Sequence, residues 1–298
     1  MILVRHLREL DPISFSAPEL VSYYQLPRGL SIALMGMLPA RRHPIDSYMA
    51  YVVFKNGVPV AYAGSWIMFD SGRISLNVFP SYRGGESQYI FQQALRLHQQ
   101  VYRLNRFSVD PYQIGKENSD GINSGSFWVY YHTGFRPMLE AQQQLAAGEA
   151  HKIKTLKGYR SSPKTLLKLA DSRMQLTMQD SAIKIDATDL SVLWLAILEK
   201  KFKNDRVLAS ADSTRKLAAI LQIKNYRGET MSFILENWAV LLLANEKELS
   251  SNIALKRSLK KLFELKAYGS EEDYISMLQK TAPLRKFLEK LNKGYSNI

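Results

Sequence analysis

Short β-type runs separated by turn residues dominate the first half of the chain. Residues 48–54 and 58–69 are rich in Val, Tyr, Ala and Ile, and the pair Asn56-Gly57 lies between them. Asn-Gly favours a type I′ turn because both central residues of that turn have φ > 0. After a further turn, residues 73–79 alternate between apolar and polar side chains. We therefore predict an antiparallel meander of three strands.

Helical periodicity follows the meander. In residues 87–104 apolar side chains recur close to helical spacing, which predicts a helix. Three further elements are expected in this half: a strand at 106–110, a helix at 124–132 and a short strand at 135–138. A long polar loop separates the first two of these elements.

The second half of the chain changes to a helical period. Helices are predicted over residues 188–202, 211–223, 230–244, 250–268 and 271–291. Ser210 and Ser270 precede two of these segments, and serine is a favoured N-cap residue. Pro283 is expected to break or kink the last segment. Strand signals are nearly absent here, so this half is predicted to be all-α.

We therefore predict two domains, a mixed α/β domain over residues 1–150 and a basic helical domain over 151–298, with a polar connector at 148–163. The 298-residue chain carries 40 Lys plus Arg and 27 Asp plus Glu, a formal charge of +13. The first half holds 13 basic and 11 acidic side chains, so the excess lies in the second half. That half is expected either to meet an anionic partner or to owe its charge to solubility alone.

Several classes of function are excluded or disfavoured by what the chain lacks. It has no cysteine, so disulfides, Cys-ligated zinc and thiolate nucleophiles are excluded, and its five histidines lack metal-ligand spacing. No G-x-S-x-G elbow or P-loop occurs. Charged residues interrupt the apolar start of the chain, and the longest apolar runs are seven residues against the ~20 of a membrane span. We expect a cytoplasmic protein without a metal cofactor or membrane span.

A proline- and glycine-bearing segment follows the third predicted strand. It reads Val-Phe-Pro-Ser-Tyr-Arg-Gly-Gly-Glu-Ser over residues 78–87. This segment resembles the acyl-CoA-binding loop of the GNAT superfamily of N-acetyltransferases, whose common form is V-x-P-x-Y-R-G-x-G-x-G. The matching residues are Val78, Pro80, Tyr82, Arg83 and Gly84. Glu86 and Gln88 stand where the family has its second and third glycines, which weakens the expected phosphate cradle.

A second segment is similar to the same family. GNAT enzymes commonly carry N-x-x-A-x-x-x-Y-x-x-x-G-F, and this spacing is matched by Asn123, Ser126, Tyr130, Gly134 and Phe135, with Ser in place of Ala. The resemblance covers roughly residues 30–140. It implies a GNAT-like mixed, mostly antiparallel sheet flanked by helices, which would precede the all-α domain.

The resemblance also implies a reaction. An acyl group would pass from a CoA or acyl-carrier-protein thioester to an amine by direct attack, and the acceptor would be a small molecule, a peptide or a protein. Tyr130 would protonate the departing thiolate. Backbone N–H groups near residues 77–79 would polarise the thioester carbonyl. The donor-binding residues expected from the two motifs are Asn77, Val78, Phe79, Tyr82, Arg83, Gly84, Gly85, Ser87, Asn123 and Ser126.

The general base is left open. Asp110, at the end of a predicted strand, lies where ligands gather in open sheets, but an Asp that forms a turn before a proline explains the residue equally well. Glu86, Glu117 and a chain of water molecules are the alternatives. Residues 110–122 are expected either to shape an acceptor pocket or to form a surface excursion.

The helical half offers a basic stripe. Lys256, Arg257, Lys260 and Lys261 lie beside one another on a predicted helix, opposite an apolar stripe. Such a stripe suits an acyl carrier protein or an acidic peptide. The alternative function is a binding module that has lost catalysis and whose basic half binds nucleic acid or an acidic protein.

Overall fold

The computed structural model describes residues 10–179, 185–224, 226 and 228–295. The charged start of the chain, on which the expectation of a cytoplasmic protein partly rests, lies outside these residues. The strands are β1 Val21–Leu26, β2 Leu30–Met35, β3 Ser47–Lys55, β4 Val58–Met68, β5 Ser71–Ile74, β6 Asn77–Val78, β7 Arg106–Val109, β8 Arg136–Pro137 and β9 Met174–Thr177. The helices are α1 Asp11–Ser14, α2 Ser87–Tyr102, α3 Ser119–Asn123, α4 Ser126–His132, α5 Glu140–Thr155, α6 Pro163–Leu169, α7 Ala187–Phe202, α8 Arg206–Leu221, α9 Glu229–Leu243, α10 Glu246–Ser251, α11 Ile253–Tyr268, α12 Glu271–Lys280 and α13 Ala282–Tyr295. Short 3₁₀ turns include Pro39–Arg41, Pro80–Tyr82 and Pro111–Ile114.

The described strands form one mixed, mostly antiparallel sheet. Its order is β1-β2-β3-β4-β5-β7-β9-β8, with β6 also paired to β4. The predicted hairpin is confirmed, because Lys55 pairs with Val58 and the turn residues Asn56 and Gly57 have φ of 48° and 80°. The pair β5 and β7 is parallel, and the other pairs are antiparallel. The chain is therefore an α+β protein, as its periodicity predicts.

The third predicted strand is divided in two. β5 and β6 both pair with β4, and Ser75 and Leu76 between them pair with no residue of β4. On the other side, β5 is paired with β7 as far as Arg73 and Ser108. β6 has no strand partner there within the described residues, so the sheet opens at the carboxyl ends of β5 and β7. An interruption of this kind bends a strand and re-aims its backbone groups.

Helices α2 and α4 cover one face of the sheet. Ile90, Phe91 and Leu95 of α2 are buried against apolar residues of the central strands, including Ile32 and Tyr51. This is the apolar face that the helical spacing of residues 87–104 predicts. α2 ends two residues earlier than predicted, because Arg103 adopts a left-handed conformation with φ 53°.

The sheet takes one strand from beyond residue 150. β9 lies between β7 and β8, with Phe107 opposite Leu176 and Pro137 opposite Met174. The prediction of an all-α second half missed this strand, because four residues carry too little alternation to be recognised. Helix α5 runs through residues predicted as connector, and most of its surface is exposed. Its Ala, Gln and Glu residues favour helix without an apolar stripe.

Helices α7 to α13 pack around Trp238 in a second core. Ser270 caps α12 by accepting a hydrogen bond from the Asp273 N–H, as predicted. The expected break near Pro283 is confirmed, since Thr281 separates α12 from α13. The predicted helix over residues 250–268 is divided at Asn252. α10 ends at Ser251, and the Asn252 side chain caps the start of α11. Ser210 lies inside α8 rather than ahead of it, since this helix begins at Arg206.

A buried charged cluster joins the helical half to the sheet. The Lys266 ammonium lies 2.8 Å from both carboxylate oxygens of Glu271, and Arg42 lies 3.5 Å from the same carboxylate. Ser47 of β3 donates a hydrogen bond to Glu271. All four side chains are buried.

Within the described part of the chain, no helix has the length and apolar character needed to cross a membrane.

Candidate functional site

A cavity of about 220 Å³ lies where the sheet opens. It brings together seven of the residues that the two motifs predict, namely Asn77, Val78, Arg83, Gly84, Ser87, Ser126 and Tyr130. The strand end, the N-terminus of α2 and helix α4 each contribute to its wall. Clefts at the carboxyl ends of parallel strands are a common place for ligands in α/β proteins.

Tyr130 forms part of the wall and is almost fully buried. Its ring packs edge-on against Phe91, with centroids 5.1 Å apart. Burial raises the pKa of Tyr130 well above its ordinary value, and a hydrogen bond with the backbone of Leu76 opposes that rise. The phenol therefore carries its proton at neutral pH. Leu76 belongs to the interruption between β5 and β6, so the opening of the sheet also positions this hydroxyl.

The strand end supplies backbone groups to the cavity. The Phe79 N–H donates to the Val60 carbonyl of β4 at 3.0 Å. Because consecutive strand residues direct their N–H groups to opposite sides, the Val78 N–H points away from β4, towards the opening. The Val78 carbonyl lies on that same side and accepts a hydrogen bond from Arg83 Nε at 3.2 Å. Of residues 77–79, Val78 therefore has the N–H best placed to polarise a bound carbonyl.

Arg83 closes one side of the cavity through an ion pair. Its two terminal nitrogens each lie 2.7 Å from an oxygen of the Asp120 carboxylate. Asp120 belongs to α3, within the segment predicted as a long loop, and also lines the cavity. A phosphate that is to bind Arg83 must therefore compete with this carboxylate.

The N-terminus of α2 is built differently from a glycine-rich cradle. Gly84 has φ 147°, a conformation that L residues avoid, and a Cβ at Gly84 or Gly85 would meet no atom within 4 Å. Glu86 precedes the helix without capping it by a side-chain hydrogen bond. Its carboxylate pairs with Lys55 at 3.0 Å, and Gln88 donates to the His132 carbonyl. The positive helix end can attract an anion, but Glu86 adds a negative charge beside it.

The other predicted residues lie outside the lining of the cavity. Phe79 is buried on the other face of the sheet against Tyr62, whereas Tyr82 and Asn123 are exposed. Glu117 is also exposed. Asp110 bridges two guanidinium groups, at 3.2 Å from Arg73 and 3.3 Å from Arg173.

Several lining residues were missed by the sequence motifs. They are Leu76, Gln113, Asn118, Asp120, Gly121, Ser124 and Val129. Most come from the segment predicted as a polar loop, which folds into the turn Pro111–Ile114 and helix α3. The Asn118 side chain caps α3 by accepting from the Gly121 N–H. The Asn-Ser-Asp sequence at 118–120 is a helix-start signal that would have revealed this helix.

The donor set at this site is built for hydrogen bonding and ion pairing. Among the residues that the structure describes, no group of three or more His, Asp or Glu side chains is arranged to hold a metal ion.

Comparison of the chain with protein-family models, curated proteins and solved structures gives no match.

Proposed function

We propose that this protein is an N-acyltransferase that moves an acyl group from a CoA or acyl-carrier-protein thioester to an amine. The observation that carries the proposal is the meeting of seven predicted site residues, five of them at matching motif positions, in one cavity at the opening of the sheet. Their order along the chain and the resemblance to the GNAT superfamily suggest the chemistry. The strand order, with one parallel pair beside the opening, supports it.

The proposed reaction is a direct displacement. The amine nitrogen attacks the thioester carbonyl carbon, and the negative charge that forms on the oxygen is stabilised by the Val78 N–H. Collapse of this intermediate breaks the C–S bond and leaves the acyl group on nitrogen as an amide. Tyr130 gives its proton to the departing thiolate, and the Leu76 backbone stabilises the transient phenolate. The proton lost by the amine reaches Tyr130 through water and restores the phenol.

A proton must also leave the attacking amine. The Asp110 carboxylate is engaged by two arginines and does not line the cavity. Glu86 is exposed and paired with Lys55. We therefore assign this proton to water at the cavity mouth, which matches the water chain left open by the sequence.

A separate observation supports a second function, that of a binding module. The cations beside the start of α2, Lys55 and Arg83, are each paired with a carboxylate, Glu86 and Asp120 respectively. This arrangement favours a domain that no longer binds phosphate. Such a protein would act as a binding module whose basic helical half contacts nucleic acid or an acidic protein.

Native mass spectrometry with acetyl-CoA, a long-chain acyl-CoA and an acyl carrier protein separates the two functions. Saturable binding of one thioester is expected, followed by acyl transfer to an amine acceptor. Tyr130→Phe should keep donor binding and lose turnover by roughly 10²- to 10⁴-fold. Tyr131→Phe is the matched control, since this neighbouring phenol does not line the cavity. Absence of all thioester binding would reject the acyltransferase in favour of the binding module.

A further inference from the structure

The first strand of the sheet leaves one edge free. β1 is the first strand in the order of the sheet and, within the described residues, it pairs with β2 alone. The strand at the other end of that order, β8, has two residues and contains Pro137. A short strand and a proline are both devices that keep a sheet edge from pairing. β1 has six residues and neither a proline nor a charged side chain, so it carries none of these devices.

The pairing of β2 fixes the direction of its backbone groups. The Asn56 N–H donates to the Gly29 carbonyl at 2.7 Å, in line with the register between β2 and β3. The odd-numbered residues of β2 therefore bond to β3, because N–H and C=O groups alternate in direction along an antiparallel strand. Its even-numbered residues bond to β1. The Gly36 N–H confirms this alternation, since it donates to the Leu20 carbonyl at 3.2 Å.

The same alternation identifies the open positions of β1. Even-numbered residues of β1 bond to β2, so Val21, Tyr23 and Gln25 direct their N–H and C=O groups away from the sheet. The side chains of these three residues are exposed, whereas the even-numbered side chains between them are half-buried. Three alternate donors and acceptors on an accessible edge are what a further antiparallel strand pairs with.

A second copy of β1 uses all of these positions. When two copies pair antiparallel about a twofold axis at Tyr23, this residue faces its own copy, and Val21 faces Gln25 of the second copy. Every outward-pointing residue then belongs to a hydrogen-bonded pair. A shift by two residues would leave one of the three positions unpaired, and a shift by one would oppose outward-pointing to inward-pointing groups. The edge is therefore self-complementary, as a twofold interface requires.

The Tyr23 side chain is prepared for this pairing. Its ring is 57% exposed, yet its hydroxyl donates a hydrogen bond to Ser31 and its ring contacts Phe54, with centroids 6.2 Å apart. A ring held in this way loses little conformational freedom on association. Two tyrosines directly opposite each other on neighbouring strands form a favourable aromatic pair.

Charge at the two ends of β1 selects an antiparallel copy. Glu19 precedes the strand and Arg28 follows it, and both are exposed. The Arg28 guanidinium lies over the Tyr89 ring, 4.6 Å from its centroid. In the register centred on Tyr23, Glu19 comes opposite Pro27 of the second copy, next to the arginine of that copy. The twofold axis repeats this attraction at the other end, whereas a parallel copy would bring like charges together.

We propose that two copies of this protein associate through their β1 strands, antiparallel and centred on Tyr23, into a twofold dimer with one continuous sheet. The inference goes beyond the proposed function and does not depend on it. Because the pairing consumes the free edge of each copy, assembly stops at two copies.

Sedimentation equilibrium of the full chain from about 1 to 200 µM tests the association, since interfaces of modest size are typically weak. A monomer–dimer equilibrium is expected. Tyr23→Lys places two ammonium groups opposite each other and should raise the dissociation constant at least tenfold. Tyr112→Lys is the matched control, because Tyr112 is also 57% exposed but lies in the turn after β7. Its dissociation constant should stay within twofold, and circular dichroism checks that both variants fold.

The absence of cysteine from the chain allows single cysteines to report the register. In Tyr23→Cys the two Cα atoms on the axis would lie ~5.5 Å apart, within reach of a disulfide. In Val21→Cys the two introduced residues are four positions apart along the strands, or ~13 Å, which is too far. With copper phenanthroline as oxidant, Tyr23→Cys should form the covalent dimer at least tenfold faster than Val21→Cys.

Four results would overturn the proposal. They are a monomer throughout the concentration range, a dimer that Tyr23→Lys leaves intact, equal weakening by Tyr112→Lys, and equal cross-linking of the two cysteine variants. Growth beyond two copies would also overturn it, because twofold pairing of one edge leaves no free edge of this kind for a third copy.

Discussion

The Arg83 guanidinium and the Asp120 carboxylate close one side of the candidate donor cavity, joined by two hydrogen bonds of 2.7 Å. Arg83 belongs to the first motif and Asp120 to the short helix α3, 37 residues later. The pair therefore ties the strand end to the segment that closes the cavity. Asp120 therefore pairs with the same Arg83 guanidinium that, by the motif resemblance, would bind the phosphate of the donor.

Removal of this carboxylate should improve donor binding. In Asp120→Asn, Arg83 loses this anionic partner, so coenzyme A should bind up to roughly fivefold more tightly, in line with the ~0.2–1 kcal/mol of an exposed ion pair. Isothermal titration calorimetry measures the change. Glu117→Gln removes the same charge from an exposed neighbouring position and should have little effect. Weaker or unchanged affinity in Asp120→Asn would show that Arg83 does not hold phosphate.

Tyr51 stabilises the interruption between β5 and β6. Its fully buried hydroxyl donates a hydrogen bond to the Ser75 carbonyl. Tyr51→Phe leaves that carbonyl without this donor and should lower the free energy of unfolding by ~1–3 kcal/mol. Urea denaturation measures the loss. Tyr23→Phe is the control, because it removes a hydroxyl that donates to Ser31 from a largely exposed ring. Its free energy of unfolding should fall by less than that of Tyr51→Phe. Equal decreases in the two variants would contradict the role assigned to Tyr51.

His98 should make stability depend on pH. Its ring is buried, with one nitrogen 2.8 Å from the Ala94 carbonyl and the other 3.1 Å from the Ser65 hydroxyl. Burial lowers the pKa of His98 to about 4, and the Ala94 hydrogen bond opposes the shift. The unfolded chain, with a pKa near 6.5, thus binds more protons between pH 4 and 6.5. Stability due to His98 should fall as pH drops through this window, by up to ~1.4 kcal/mol per pH unit.

Urea unfolding of His98→Gln and the unsubstituted protein at several pH values between 4 and 7 checks this prediction. His98→Gln should be less stable at pH 7, but its free energy of unfolding should lack the pH dependence that His98 contributes. His132→Gln, at an exposed histidine, should keep the slope of the unsubstituted protein. Parallel curves for all three proteins would mean that His98 does not resist protonation.

Glu271 should be essential to the junction between the sheet and the helical half. Glu271→Gln leaves Arg42 and Lys266 buried without their shared anion, and loss of one partner of a buried ion pair typically costs ~3–5 kcal/mol. Glu272→Gln, at an exposed neighbour, should leave the free energy of unfolding nearly unchanged. A loss in Glu271→Gln no larger than in Glu272→Gln would argue against a joining role.

The same variant should respond to pH in a defined direction. Burial lowers the pKa of Lys266, whereas Glu271 raises it. Without Glu271 the pKa in the folded state falls further below that of the unfolded chain, which then binds more protons in the interval between the two pKa values. The stability of Glu271→Gln should therefore rise relative to the unsubstituted protein as pH increases towards 10.5. Urea unfolding from pH 7 to 10 measures this; a constant difference would contradict it.

Much of the first half could be predicted because its signals are local. Asn56-Gly57 identifies the hairpin, and the spacing of Ile90, Phe91 and Leu95 identifies the buried face of α2. The matching positions of the two motifs include five of the residues that line the cavity. Asp120 and Gln113 escaped prediction, because their part in the site depends on how residues 110–122 fold back onto the strand end.

The amino-acid sequence by itself determined the elements with strong periodicity, the turns, the Ser270 cap and the concentration of positive charge in the second half. These depend on neighbours a few residues away. Tertiary structure decided the insertion of β9 into the sheet and the burial of the Lys266–Glu271 pair. Both depend on segments far apart in the chain: β9 pairs with β7 and β8, and the Lys266–Glu271 pair is buried against Asp46 and Ser47, more than 200 residues earlier. A charged residue such as Lys266 is buried only where its charge is compensated.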